Sequence, residues 1–331
     1  MFPLSVLDLV PVRQGGTVSE ALAITARTAQ AAEKAGYKRF WVAEHHGMDG
    51  IAGGATSVVL AHIGAATSTI RIGAGGIMLP NHNPHVIAEQ FGTLAALFPG
   101  RVDLGLGRAA GADGRLANAL RKDIVGAAEH FPQDVVELQA RFAGHAVGGV
   151  AAPQAEGADV EMWVLGSSLF GAHLAATLGM PYAFASHFAP AMLNQAAQIY
   201  RERFQPGKFM DKPHFMAAIN VVTADTDEEA RYLGSSIDQS FVALRTGTPG
   251  RLPPPIRDYR ESLPGAARAM LEEVRSVSAI GTPARVRDEI LAFQQRTQAD
   301  ELIVSGAIFD PDAQVRSLEM AMGALQATAQ A

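Results

Sequence analysis

Short apolar runs alternate with longer helix-like stretches along almost the whole chain. "PLSVLDLVP", "RFWVAEHH", "IRIGAGGIML", "RVDLGLGR", "EMWVLGSS", "PYAFAS", "HFMAAINVVTAD" and "ELIVSG" read as eight strands. The segments between them carry helix signals. Thr17 and Glu20 match a capping box for a helix that Gly36 ends. Thr56 to Thr67 is rich in Ala and Val and reads as a second helix. Asn83-Pro84 and Thr282-Pro283 place a capping side chain before a first-turn proline. This order predicts an α/β fold, a (β/α)8 barrel with loop insertions. The same order is compatible with a doubly wound open sheet and a second domain. We expect one barrel domain over residues 1–331, with insertions at about 109–126, 143–158 and 247–280.

Composition narrows the function classes. Of 331 residues, 48% are hydrophobic and 18% charged, which suits a large core. Net charge is 27 − 33 = −6 and no basic run is present, so nucleic acid and anionic membrane are poor partners. Cysteine is absent, which removes disulfides, thiolate nucleophiles and Cys-based metal sites. The N-terminus lacks a basic n-region, Asp8 interrupts it, and no apolar stretch is long enough to span a bilayer. A cytoplasmic location is expected.

In a (β/α)8 barrel the chemistry sits at the C-terminal ends of the strands. Those ends hold Glu44, His45 and His46, Gly75 and Gly76, Asn81 to His85, Gly107 and Arg108, Gly166 to Ser168, Ser186 and His187, and Ser305 and Gly306. Adjacent residues of an extended strand point to opposite faces, so Glu44, His45 and His46 do not converge on one ion. With no HExxH pattern either, no metal site is expected, although His82 and His85 are nearby candidates. The "GSS" at Gly166, Ser167 and Ser168 ends a strand and opens a helix, where free N–H groups attract phosphate. Ser is also a common helix cap, and Arg108 is either a compensating cation or a surface partner. "GAGG" lacks the dinucleotide spacing, because "IML" continues the strand. Its glycines fit a close approach of backbone to a flat ligand.

The stretches "FWVAEHHGMDGIAGGATSVVLAHIGAATSTIRIGAGGIMLPNHNPHVIAEQFGTLAALFPGRVDLGLGR", "LGSSLFGAHLAATLGMPYAFASHFAP" and "IGTPARVRDEI" resemble the bacterial luciferase-like flavin-dependent oxidoreductases. The resemblance implies a barrel that takes reduced FMN from a separate reductase, activates O2 and oxidises an organic substrate. By position, it makes His45 the histidine near the flavin ring and Glu44 a carboxylate on the substrate and flavin side. It makes Gly75-Gly76 a cis peptide beneath the ring, and puts Gly166, Ser167, Ser168 and Arg108 at the phosphate. Gly166 departs from the luciferases, which carry an acidic residue there, and the luciferase cysteine is missing. Light emission and a long-chain aldehyde substrate are therefore not supported.

Keeping water from such a flavin requires closure. The insertions at Ala109 to Gly126 and Gly247 to Pro255 are the segments expected to supply it. His45 is expected to donate or accept a proton. Two rival readings share the barrel: a deazaflavin-dependent dehydrogenase, and a protein that binds flavin without turnover. A homodimer is expected, through the helix Thr56 to Thr67 and the face of Val86, Ile87, Gln90, Phe91 and Leu94; packing on the barrel explains much of the same pattern. The loops that shape the substrate pocket are not legible.

Overall fold

The local signals form as read. Thr17 accepts a hydrogen bond from Glu20 N at 3.2 Å, and Glu20 accepts one from Thr17 N at 2.7 Å. This box starts the helix Val18–Ala35, which Gly36 ends at φ 91°. Asn83 accepts from His85 N at 2.9 Å and Pro84 opens the helix Pro84–Leu97. Thr282 caps Pro283–Thr297 in the same way.

The computed structural model describes residues 2–108, 119, 124–207 and 210–329. The strands are β1 (Leu4–Asp8), β2 (Arg39–Val42), β3 (Arg71–Met78), β4 (Val102–Gly107), β5 (Val160–Gly166), β6 (Tyr182–Phe184), β7 (Phe215–Thr223), β8 (Ser278–Gly281) and β9 (Glu301–Ser305). Their order is β6-β5-β4-β3-β2-β1-β9-β7-β8, and a further β6–β7 pairing closes a ring of eight parallel strands. The fold is the expected (β/α)8 barrel, not the open sheet.

One strand was not expected. β8 lies at the end of the anticipated 247–280 insertion and pairs only with the overhanging Asn220–Thr223 half of β7, outside the ring. Four residues are too short to carry a periodic signal; the length of β7 supplies the edge that orders them. The eighth barrel strand is β9. The 143–158 insertion is largely exposed, as expected of a surface excursion, and is anchored at points: Ala152 and Ala155 are buried, and Val150 O accepts from Arg141 at 3.1 Å. The loop expected at 109–126 lies almost wholly outside the described residues. Among those described, no helix is long and apolar enough to cross a membrane.

The period of two sorts every strand into two cores. Val6, Phe40, Val42, Ile72, Leu104, Val164, Ile219 and Val304 face the helices. Leu7, Trp41, Trp163, Met216, Ala218 and Ile303 fill the barrel. Trp41 and Trp163 meet edge to face with centroids 5.3 Å apart. Beneath them the floor is ionic. Arg39 is 2% exposed and pairs with Asp103 at 2.9 Å, Glu301 at 2.9 Å and Glu161 at 3.0 Å. Arg71 also binds Asp103, and Lys38 binds Glu301. Burial raises the Glu301 carboxyl, but bonds from His214 and Ser5 and the charges of Arg39 and Lys38 outweigh it and hold it at about 2.

Candidate active site

The inward series on β2 runs Arg39, Trp41, and continues past the strand end to Ala43 and His45. It climbs from the ionic floor through the aromatic layer to the mouth. There, at the C-terminal ends of the strands, lies a cavity of about 520 Å³. Ligand pockets commonly hold several hundred cubic ångströms. His45, Gly75, Gly76, Arg108, Gly166, Ser167 and Ser168 all line it, although they come from four strands and their loops.

Gly75 and Gly76 form the wall on β3, joined by a cis peptide bond. A Cβ on Gly75 would stand 2.8 Å from Leu7 Cδ1. One on Gly76 would stand 2.4 Å from Leu165 Cδ1 and 2.6 Å from the carbonyl oxygen of Gly105. The neighbouring strand thus leaves no room for a side chain. Gly76→Ala is expected to push this wall out of place and destabilise the fold by about 1–3 kcal/mol, measured by urea unfolding beside wild type.

At one end of the cavity, Arg108 lays its guanidinium over the Phe170 ring, 4.0 Å from the centroid. Ser168 precedes the helix Leu169–Leu178 without capping it through its side chain. Its carbonyl is held instead by Tyr182 Oη at 3.3 Å. The Ser167 and Ser168 side chains are exposed to the cavity, and the helix N-terminus adds its unpaired N–H groups. A guanidinium, two hydroxyls and a positive helix end are groups of the kind that bind an anion.

Glu44 takes the opposite direction from His45. It is fully buried and does not line the cavity. Its Oε1 accepts from His46 Nε2 at 2.6 Å and His82 Nε2 at 2.8 Å, and its Oε2 accepts from Met78 N at 3.1 Å. Burial raises this carboxyl, but the bonds from His82, His46 and Met78 prevail and keep it below the usual carboxylate range. The strand's alternation separates Glu44 and His46 from His45, as the sequence implies. The fold then adds His82 to the outward pair.

Burial pushes the His45 imidazole below its ordinary value of 6.5; the Glu44 charge pulls upward and His46 pushes further down. His45 is therefore neutral at pH 7 and an acceptor for protons. Across the cavity, burial lowers His187 to about 4, with a smaller push from His45. Neither ring nitrogen of His187 bonds a described residue, and Nδ1 is buried. Asn220 donates to the His187 carbonyl at 2.7 Å, which fixes the loop after β6. His187 stands at a strand end in the sequence with no role attached, and Asn220 is not among the rim residues the sequence marks. A polar residue at an inward position of the apolar run "AAINVVT" is the signal that locates it.

Residues 3–300 match the profile of the luciferase-like monooxygenases. A luciferase-like monooxygenase of Escherichia coli strain K12 is 46% identical over 319 residues, covering 96% of this chain and 95% of its own. The chain belongs to the luciferase-like monooxygenase family. The crystal structure of apo-MsnO8 superposes with TM-score 0.87 at 31% identity, covering 98% of this family member and 99% of itself. The oxygenating constituent of 3,6-diketocamphane monooxygenase from Pseudomonas putida, in complex with FMN, shares the fold at TM-score 0.73 and 18% identity, with 98% of each chain covered. So does an F420-dependent secondary alcohol dehydrogenase, at TM-score 0.72 and 14% identity, covering 98% of this chain and 99% of its own.

Proposed function

We propose that this chain is an oxidoreductase that binds reduced FMN, supplied by a separate reductase, and uses O2 to oxidise an organic substrate. One observation carries the cofactor: Arg108, with no ion pair among the described residues, lines the same cavity as Ser167, Ser168, a helix N-terminus and the twin-glycine wall. That arrangement fits an anionic tail at one end of a flat ring system. Reduced FMN, when bound, supplies the electrons for reducing O2. The chain's own groups do the rest. The backbone at Gly75 and Gly76 supports the ring, and Leu7, Trp41, Leu165 and Ile303 keep water from beneath it. His45 takes a proton at the mouth, and His187 offers a second neutral imidazole opposite. Glu44 acts as a positioning residue, anchoring His46 beside His45.

The test is cofactor binding followed by fluorescence. Wild type is expected to bind FMN more tightly than riboflavin, and Arg108→Ala to weaken FMN roughly 10- to 100-fold while leaving riboflavin unchanged. A preference for deazaflavin over FMN would replace this reading with the dehydrogenase; retained FMN without O2 consumption would leave a binding protein. The proposed homodimer has less surface than the sequence suggests, because Ile87, Phe91 and Leu94 are buried against the barrel. Val58, Val86 and Leu97 stay exposed and are the residues left to pair.

A further inference from the structure

We propose that Glu44, His46 and His82 form a site for a first-row divalent cation, of which zinc is the probe, on the outer wall of the barrel behind His45. One ligand atom from each of the three lies within 4.8 Å of the others. Glu44 Oε1 sits 2.6 Å from His46 Nε2 and 2.8 Å from His82 Nε2. Two imidazole nitrogens thus converge on a single carboxylate oxygen. The other oxygen is occupied by Met78 N–H, which orients the carboxylate and leaves Oε1 for the shared point.

The donor chemistry selects the ion. Two nitrogens, one oxygen and no sulfur suit borderline divalent cations over calcium or magnesium. At bond lengths of about 2.0–2.1 Å the edges of a coordination tetrahedron are about 3.3 Å, so the cluster opens by roughly half an ångström to admit zinc. The imidazoles lie on loops that can give this: His46 follows β2 and His82 follows β3. Their side chains are 23% and 27% exposed while Glu44 is 1% exposed, so the ion reaches the site from solvent and keeps water on its open side. The carboxylate sits at the back as the fixed ligand. Bound there, the ion ties the loop that carries His45 to the loop after β3, and it does so outside the cavity that His45 lines. Neither the cofactor nor turnover is needed for this site.

The experiment uses untagged full-length protein stripped with a chelator and then titrated with zinc by calorimetry. One equivalent is expected to bind and to raise the melting temperature, and His82→Asn and His46→Asn are each expected to weaken binding roughly tenfold or more. Circular dichroism of both variants checks that they fold. Cobalt substitution gives the second readout: wild type is expected to show intense visible bands of a four- or five-coordinate ion, which either variant loses. No one-to-one uptake by wild type, or variants that bind zinc as tightly as wild type, would show a hydrogen-bonded carboxylate hub and overturn the site. If neither variant folds, the wild-type cobalt spectrum decides alone, and a hexaaqua-like spectrum rejects the proposal.

Discussion

Replacing His45 with glutamine is expected to lower turnover of the organic substrate about 10²- to 10⁴-fold, the usual contribution of a positioned proton acceptor. The side chain reaches the cavity from the top of the inward series on β2, and burial keeps it neutral at pH 7. Its protonation switches off the acceptor, so the wild-type rate is full above the ordinary value of 6.5 and falls only as pH drops below it. Burial holds His187 at about 4, and the variant tells its contribution apart from that of His45. The glutamine variant is expected to lose this acid limb while FMN affinity and the melting temperature stay near wild type. A pH–rate profile whose acid limb survives in the variant would remove His45 from the chemistry.

The second large effect concerns the floor. Arg39→Met is expected to cost about 3–5 kcal/mol, because it strands the buried carboxylates of Asp103 and Glu301 without their shared cation. Asp312→Ala, which breaks an exposed pair with Arg27, is expected to cost less than about 1 kcal/mol. Urea unfolding of the two variants beside wild type makes the comparison, and equal shifts would contradict the account. Acid adds a check on sign. Glu301 is held at about 2 against an ordinary 4.5, so its contribution is complete above 4.5 and is lost as pH falls from there towards 2. The arginine variant is expected to lose stability mainly above that window, where wild type has the pair intact.

Legibility followed the range of the interaction. The capping box at Thr17 and Glu20 was readable because both partners lie within one turn. Seven of the eight proposed site residues, read from strand ends, meet in one cavity, because a parallel barrel collects its C-terminal ends by construction. Glu44 is the exception, since one step along a strand reverses the side chain and carries it behind the wall. β8 is not legible in the sequence because its order comes from the overhang of β7 and not from its own four residues.

By itself, then, the sequence determined the alternation of strands and helices, the helix ends, and which residues stand at the strand ends that form the rim, since each depends on residues a few positions apart. Only the tertiary structure decided that Glu44 meets His82, 38 residues away, and that Arg39 meets Glu301, 262 residues away. Ring closure sets those meetings, and no local preference encodes which distant side chains it will bring to one point.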